Sequence, residues 1–332
     1  MSLDFLAFMQ LCQKANTIVL TAPAGADGDS VGTQCALMEI FQVTYPEKKI
    51  RIINEDACPQ RYRFLKLASQ FEVSREIKIT EEEFKSSLWI CVDGGPNRLG
   101  EKTTPFWKAS QYRAQVDHHR VTQKDNFDAT LNDVDAASTT QIIYELCQNL
   151  RFNLTKDIAQ SLYVGLVFDT GLFKHSNTTP KVMRIGAHLL EFGFNHTETA
   201  EKTLLVRTEA NLKLLQKVLS SMHHEANGQY VWASLNLNDF KEANATLEDR
   251  EGLIEMLFLT DKCQVASLYV QVEEKKWKAS FRSRGHDVAT LAKSIDINGG
   301  GHKLASGCTL EGDEKTLQKS HDAIKKLFSS SI

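Results

Sequence analysis

The sequence has no apolar run of the ~20 residues needed to cross a bilayer, no internal repeat and no low-complexity tract. The apolar patch of its first residues, which includes Phe5, Phe8 and Leu11, has neither a basic region nor a small-residue cleavage site. This pattern predicts a docked helix rather than a signal peptide, and we expect a cytoplasmic protein.

Cysteine pairs and basic tracts are also missing. The seven cysteines are scattered and never form a C-x-x-C pair, which favours buried, reduced thiols over a disulfide framework or a zinc site. The net charge is −3. Because tight binding to long nucleic acid needs many contacts between basic side chains and phosphate, the composition argues against a long duplex as substrate.

The chain length of 332 residues indicates two domains. Short apolar runs alternate with helix-period stretches such as 30–42 in the first half, which predicts an α/β domain with a parallel sheet at 1–196. Residues 197–225 read as a continuous helical connector, and 226–332 as a second, smaller α/β domain. The predicted strands of the first domain are 17–22, 49–54, 87–93 and 112–117, and those of the second are 229–237, 264–273 and 276–284.

Carboxylates follow the ends of the predicted strands, where ligands gather in parallel sheets. Asp27 and Asp29 flank Gly28 after the first strand, Asp93 ends the third, and Asp169 follows an apolar helix. Each of these motifs alone is explained at least as well by a solvated turn or a helix cap. Together with a histidine they form a mixed oxygen and nitrogen ligand set, which suits Mn²⁺ or Mg²⁺ better than structural zinc.

The fourth strand runs into Asp117, His118 and His119. Because neighbouring residues of a strand point to opposite faces, only one histidine should bind a metal, and we assign that role to His118. Asp117 would then orient the ring of His118. His119 would face substrate phosphate or have a structural role.

The second domain contains a candidate anion site. Consecutive glycines, including Gly300 and Gly301, precede His302, and such a loop allows the backbone to approach a phosphate closely. Arg282 or Arg284 could clamp the phosphate. The alternative is a flexible glycine-rich connector.

The motifs DGDS, VDGG, DHH and FDTG, followed by RS and GGGH, resemble those of the DHH/DHHA1 phosphoesterases over about residues 17–310. Within that family the chain is most similar to the stand-alone, NrnA-like nanoRNase and phosphoadenosine-phosphate phosphatase group. The resemblance implies a DHH catalytic domain, a DHHA1 substrate-binding domain and two manganese ions, with Asp93 as the bridging ligand. The implied metal ligands are Asp27, Asp29, Asp93, His118 and Asp169.

The resemblance also implies the reaction. A metal-activated hydroxide would hydrolyse short oligoribonucleotides, pNpN dinucleotides or 3′,5′-bisphosphorylated nucleotides such as pAp. Asp93, His118 and His119 would be catalytic. Arg282 and His302 would hold substrate phosphate across the cleft.

One position departs from the family pattern. The family has a histidine ligand of the first metal where this chain has Pro23, so the first site should be weakened. Three alternatives therefore stay open: a phosphatase acting on polyphosphate, one acting on a cyclic dinucleotide, and a nucleotide-binding relative without turnover. A homodimer is one option for the assembly.

Overall fold

The computed structural model describes residues 3–120 and 126–329. The chain divides into two compact units, Met1–Val206 and Arg207–Ile332. Among the described residues, none of the helices has both the length and the apolar character that a membrane crossing requires.

The first unit is built around a six-stranded parallel sheet in the order β3-β2-β1-β4-β5-β6. Its strands are β1 (Thr17–Thr21), β2 (Lys49–Asn54), β3 (Phe71–Val73), β4 (Ser87–Val92), β5 (Tyr112–Asp117) and β6 (Ala129–Asn132). Its helices are α1 (Phe5–Lys14), α2 (Gly28–Thr44), α3 (Glu81–Lys85), α4 (Thr103–Ala109), α5 (Thr139–Asn149), α6 (Lys156–Asp169), α7 (Pro180–Leu190) and α8 (His196–Ala200). The predicted α/β class and its parallel sheet are confirmed.

The burial of the central strands explains why apolar runs in the sequence mark their positions. Every residue of β1 and β4 is buried, as expected for strands covered on both faces. The N-terminal helix α1 docks on the same core through Phe8, Leu11 and Cys12, as predicted. All seven cysteines are buried and none forms a disulfide.

Helices α2 and α6 pack closely because small residues of α2 face α6. A Cβ atom added to Gly28 would lie 2.8 Å from the Cβ of Phe168, and one added to Gly32 would overlap the carbonyl oxygen of Ser161. These glycines are four residues apart and therefore share one helix face. The close packing brings the start of α2, with Asp29, near the end of α6, with Asp169.

The predicted continuous connector is wrong. Helix α8 is followed by a π-helical turn, Glu201–Leu205, and Val206 is extended. Thr208 then caps a separate helix, α9 (Glu209–Ser220), by accepting a hydrogen bond from the amide of Asn211. The break therefore lies inside the predicted connector, and α9 belongs to the second unit.

The second unit has a mixed sheet in the order β11-β12-β10-β9-β8-β7, in which only the β8–β9 pair is parallel among the described strands. Its strands are β7 (His223–Glu225), β8 (Tyr230–Leu235), β9 (Val265–Glu273), β10 (Lys276–Ser283), β11 (Gly300–His302) and β12 (Ala305–Glu311). Its other helices are α10 (Leu237–Ala243), α11 (Leu253–Phe258), α12 (Val288–Ile295) and α13 (Leu317–Ser329). The predicted second, smaller α/β domain is confirmed.

Candidate metal centre and phosphate-binding residues

Three carboxylates converge on one nitrogen of His118. Its Nε2 lies 3.1 Å from Asp169 Oδ2, 3.6 Å from Asp93 Oδ1 and 4.0 Å from Asp29 Oδ2. Three atoms that could bind a metal lie within 4.8 Å of one another, one each from Asp29, Asp93 and His118. Asp93 and His118 follow the carboxyl ends of β4 and β5, and Asp29 lies in the first turn of α2, which follows β1. Asp169 is the last residue of α6.

The Asp29 carboxylate is fixed by the start of α5. Its Oδ2 accepts the amide hydrogen of Thr139 at 2.6 Å, and its Oδ1 accepts that of Thr140 at 2.9 Å. The neighbouring Asp27 caps α2 and accepts hydrogen bonds from the amides of Asp29 and Ser30 at 3.0 and 3.1 Å. Asp27 and Asp29 therefore sit at helix N-termini, which stabilise negative charge.

Asp93 is held in an uncommon backbone conformation. Its φ is +58°, in the left-handed region, which is infrequent outside glycine and clusters at functional sites. The Ser30 hydroxyl donates to its Oδ2 at 2.6 Å, and the Thr139 hydroxyl donates to its Oδ1 at 3.3 Å. Sequence reasoning did not identify Ser30 or Thr139 as site residues, although Ser30 belongs to the motif DGDS and Thr139 is the first residue of α5.

The two histidines differ from their predicted arrangement. The Nδ1 of His118 lies 3.3 Å from the carbonyl oxygen of Ala136, whereas Asp117 Oδ1 lies 2.8 Å from Nδ1 of His119. The two ring centroids are only 4.6 Å apart. Strand β5 ends at Asp117, so the alternation of faces does not extend to the histidines. Asp117 therefore orients the ring of His119, not that of His118 as predicted.

The charges of this cluster interact strongly. Burial raises the pKa of Asp29 well above its usual range, and Asp93 and Asp169 add to the effect. Burial also opposes ionisation of Asp93, but His118, His119 and Ser30 outweigh it and hold the Asp93 pKa below its usual range. Burial alone would lower the pKa of His118, but Asp169 and Asp93 raise it to about 12. The site therefore favours a positive charge among the carboxylates.

A cation fits this arrangement. Asp169 Oδ2 is buried with His118 Nε2 as a charged neighbour at 3.1 Å, and no donor in residues 3–120 and 126–329 makes an aligned hydrogen bond to it. Asp169 is also the last residue of α6, where the helix dipole disfavours a carboxylate. Such a buried charge needs a partner. Three carboxylates and an imidazole without thiolates form a donor set suited to a hard divalent ion.

Pro23 lies beside Asp93 in space. Its Cγ would be 2.7 Å from a Cβ added to Gly94, the residue after Asp93, and Gly94 has a φ of +147°. The preceding residue, Ala22, donates its amide hydrogen to the side chain of Asn54 at 3.0 Å. The position at which the resemblance expects a histidine is thus buried, held in place and next to the proposed bridging carboxylate.

Residues Gly300–His302 of the GGGH segment form a strand, β11, rather than the flexible connector that was the alternative interpretation. Strand β11 pairs with β12, and His302 lies opposite Ala305. On the other side of β12, Ala305 lies opposite Arg282 of β10. Residues directly opposite in neighbouring strands share one face of a sheet, and strands are about 4.8 Å apart. Arg282 and His302 therefore lie at one level of the sheet with a small residue between them.

The two candidate arginines have different environments. Arg282 contacts Glu255 through Nε at 3.0 Å and Nη2 at 2.8 Å, and its side chain is 31% exposed. Arg284 donates to the carbonyl oxygens of Cys263 and Phe258 at 2.8 and 2.9 Å, and its guanidinium lies over the Phe258 ring. These contacts lead us to propose a structural role for Arg284, and the substrate role predicted for it stays a prediction.

Comparisons with known proteins agree with the two-domain arrangement. The DHH family N-terminal domain model matches residues 17–166, and the DHHA1 domain model matches residues 214–330. The chain is 27% identical over 322 residues to the bifunctional oligoribonuclease and PAP phosphatase NrnA of Bacillus subtilis, covering 92% of this chain and 96% of that protein. It is 32% identical over 197 residues to the protein of the same name from Thermus thermophilus, covering 59% of this chain and 58% of that protein.

A solved structure shows the same fold. A protein described as exopolyphosphatase-related, from Bacteroides fragilis, superposes with a TM-score of 0.87 at 21% identity, covering 98% of this chain and 96% of that one. The two domain models together span most of the sequence, and the carboxylates and the histidine His118 of the motifs DGDS, VDGG and DHH converge in the first unit. The chain belongs to the DHH/DHHA1 family of phosphoesterases, which are hydrolases acting on ester bonds.

Proposed function

We propose that this protein is a manganese-dependent phosphoesterase that hydrolyses short oligoribonucleotides, pNpN dinucleotides and 3′,5′-bisphosphorylated nucleotides such as pAp. The observation that carries the proposal is the convergence of Asp29, Asp93 and Asp169 on His118 Nε2. The names of the relatives from Bacillus subtilis and Thermus thermophilus support the substrate class.

Asp29, Asp93, His118 and Asp169 would hold one ion, and Asp27 and Asp93 would hold a second. When bound, such ions activate water and stabilise charge on phosphoryl oxygens. The second ion would be held weakly, because Pro23 offers no ligand atom in place of the family histidine. Mg²⁺ is the alternative ion for the same donor set.

The side chains outside the metal ligands would bind and orient the substrate. His119, whose ring Asp117 fixes at Nδ1, would contact substrate phosphate beside the ion. In the second unit we assign phosphate binding to Arg282 and His302, with the backbone of Gly300 and Gly301 beside them. Guanidinium groups bind phosphate with directed hydrogen bonds, which suits small, highly phosphorylated substrates.

A substrate panel tests the proposal. Purified protein is incubated with pAp, pApA, a 24-nucleotide RNA, polyphosphate and a cyclic dinucleotide, each with Mn²⁺, with Mg²⁺ and with EDTA. We expect Mn²⁺-dependent hydrolysis of pAp and pApA that exceeds hydrolysis of the long RNA. Faster cleavage of the long RNA, or of polyphosphate or the cyclic dinucleotide, would contradict the substrate assignment.

Pro23 favours a second candidate function, a nucleotide-binding relative without turnover. Saturable binding of pAp with no hydrolysis under any metal condition would support it. The cytoplasmic location and the homodimer stay predictions.

A further inference from the structure

We propose that Thr139, the first residue of α5, is a positioning residue that sets the spacing of Asp29 and Asp93 in the metal centre. The inference rests on the proposed function, because it concerns the same ions. It adds a residue outside the proposed ligand set that contacts two residues within that set.

One residue contacts both carboxylates. The Thr139 amide donates to Asp29 Oδ2 at 2.6 Å, and its hydroxyl donates to Asp93 Oδ1 at 3.3 Å. These are the same two oxygens that lie 4.0 and 3.6 Å from His118 Nε2. Thr139 therefore fixes the positions of the oxygens that face the histidine.

The start of α5 is suited to this task. Ser138 caps the helix by accepting a hydrogen bond from the amide of Gln141, which leaves the amides of Thr139 and Thr140 available for Asp29. Each carboxylate oxygen can accept more than one hydrogen bond or ligand contact, so these amides leave Asp29 able to bind a cation. The negative charge is also stabilised by the helix dipole.

Helix α6 closes the other side of Asp29. A Cβ added to Gly165 would overlap Asp29 Oδ1 and would lie 2.5 Å from the hydroxyl oxygen of Thr140. Asp29 is therefore confined between α5 and α6. Gly165 therefore limits the position of Asp29 Oδ1, and the Thr139 amide holds Asp29 Oδ2, so both contribute to the geometry of the centre.

The two contacts of Thr139 can be removed one after the other. Thr139→Val removes the hydroxyl but keeps the amide hydrogen, and Thr139→Pro removes both. Proline is tolerated at the first position of a helix, and Ser138 already has the extended conformation that a residue before proline requires. Thr139→Ser keeps both donors and serves as the conservative control.

The primary measurement is Mn²⁺ binding by calorimetry, with thermal unfolding of the metal-free proteins recorded in parallel. Changes to residues that orient metal ligands cost roughly 10- to 100-fold in affinity or activity. We expect about tenfold weaker Mn²⁺ binding for Thr139→Val, a larger loss for Thr139→Pro, and affinity within about twofold of wild type for Thr139→Ser. The unfolding temperature of metal-free Thr139→Val should stay near that of the wild type.

Wild-type Mn²⁺ affinity in folded Thr139→Val and Thr139→Pro would overturn the proposal. So would a wild-type protein that binds no Mn²⁺. If Thr139→Pro does not fold, the Mn²⁺ affinity of Thr139→Val alone tests the proposal. The proposed function can fail separately: a wild type that binds Mn²⁺ but hydrolyses no substrate refutes the activity and leaves this comparison valid.

Discussion

Replacing Arg282 should separate substrate binding from stability in the second domain. Its guanidinium contacts Glu255 at 2.8 and 3.0 Å, and its side chain remains 31% exposed. A partly exposed ion pair contributes about 0–1 kcal/mol to stability. We therefore expect Arg282→Ala to lower the free energy of unfolding by no more than about 1 kcal/mol.

The kinetic effect should be larger. A charge-assisted hydrogen-bonded contact to phosphate contributes about 1.5–3 kcal/mol, so its loss should reduce kcat/KM roughly ten- to a hundredfold. The metal content should not change. The assay is steady-state hydrolysis of pAp at saturating Mn²⁺, with urea unfolding of the same preparations.

Arg284→Ala is the matched control. Its hydrogen bonds to two backbone carbonyls and its contact with the Phe258 ring stabilise the domain, so this variant should lose about 1–2 kcal/mol of stability and little kcat/KM. If Arg282→Ala kept kcat/KM within twofold of wild type, or if Arg284→Ala lost more activity than Arg282→Ala, our assignment of the two arginines would be wrong.

Three further predictions concern the metal centre and the second domain. Pro23→His should raise occupancy of the metal site that we propose for Asp27 and Asp93, because it supplies an imidazole beside Gly94. The gain would be seen as a second tight phase in a Mn²⁺ titration. Two equally tight sites in the wild type would refute our proposal that Pro23 weakens this site. Gly165→Ala should lower kcat about a hundredfold by displacing Asp29, whereas Gly285→Ala, where an added Cβ meets nothing within 4 Å, should have no effect on turnover. Burial lowers the pKa of His321 from 6.5 to about 4, so the imidazole binds a proton more tightly in the unfolded chain than in the folded protein. The free energy of unfolding should therefore be highest above about pH 6.5 and should fall towards pH 4, by up to about 3 kcal/mol from this residue. Urea unfolding of His321→Gln should show a smaller decrease than the wild type over that pH range.

The strands of the first sheet could be predicted where burial requires a run of apolar residues. Strands β2 and β5 begin and end at the predicted residues, because apolar runs bounded by polar residues mark buried strands. Strands β3 and β6 have three and four residues and lie at the edges of the sheet, so they leave too short a pattern to recognise. The glycine-rich start of β11 has no strand pattern in its own sequence, because this segment becomes a strand through its pairing with β12.

The site was predictable in location but not in detail. The topology rule places ligands at the carboxyl ends of parallel strands, which brought Asp29 and Asp93 together correctly in space. The partner of Asp117 could not be predicted, because both histidines lie beyond the end of β5. Arg282 and Arg284 share the same local pattern, and only the tertiary contacts with Glu255 and with the Cys263 carbonyl distinguish them.

The most direct test of the proposed function is hydrolysis of pAp and pApA by wild type and by Asp93→Asn at saturating Mn²⁺. Asparagine suits the left-handed backbone of this position better than alanine does, so the fold should be retained, and near-native thermal unfolding would verify this. We predict hydrolysis by the wild type and no detectable turnover by Asp93→Asn, because in the proposed function Asp93 would be a ligand of both ions. Activity of the variant within a few-fold of wild type would contradict the two-metal assignment.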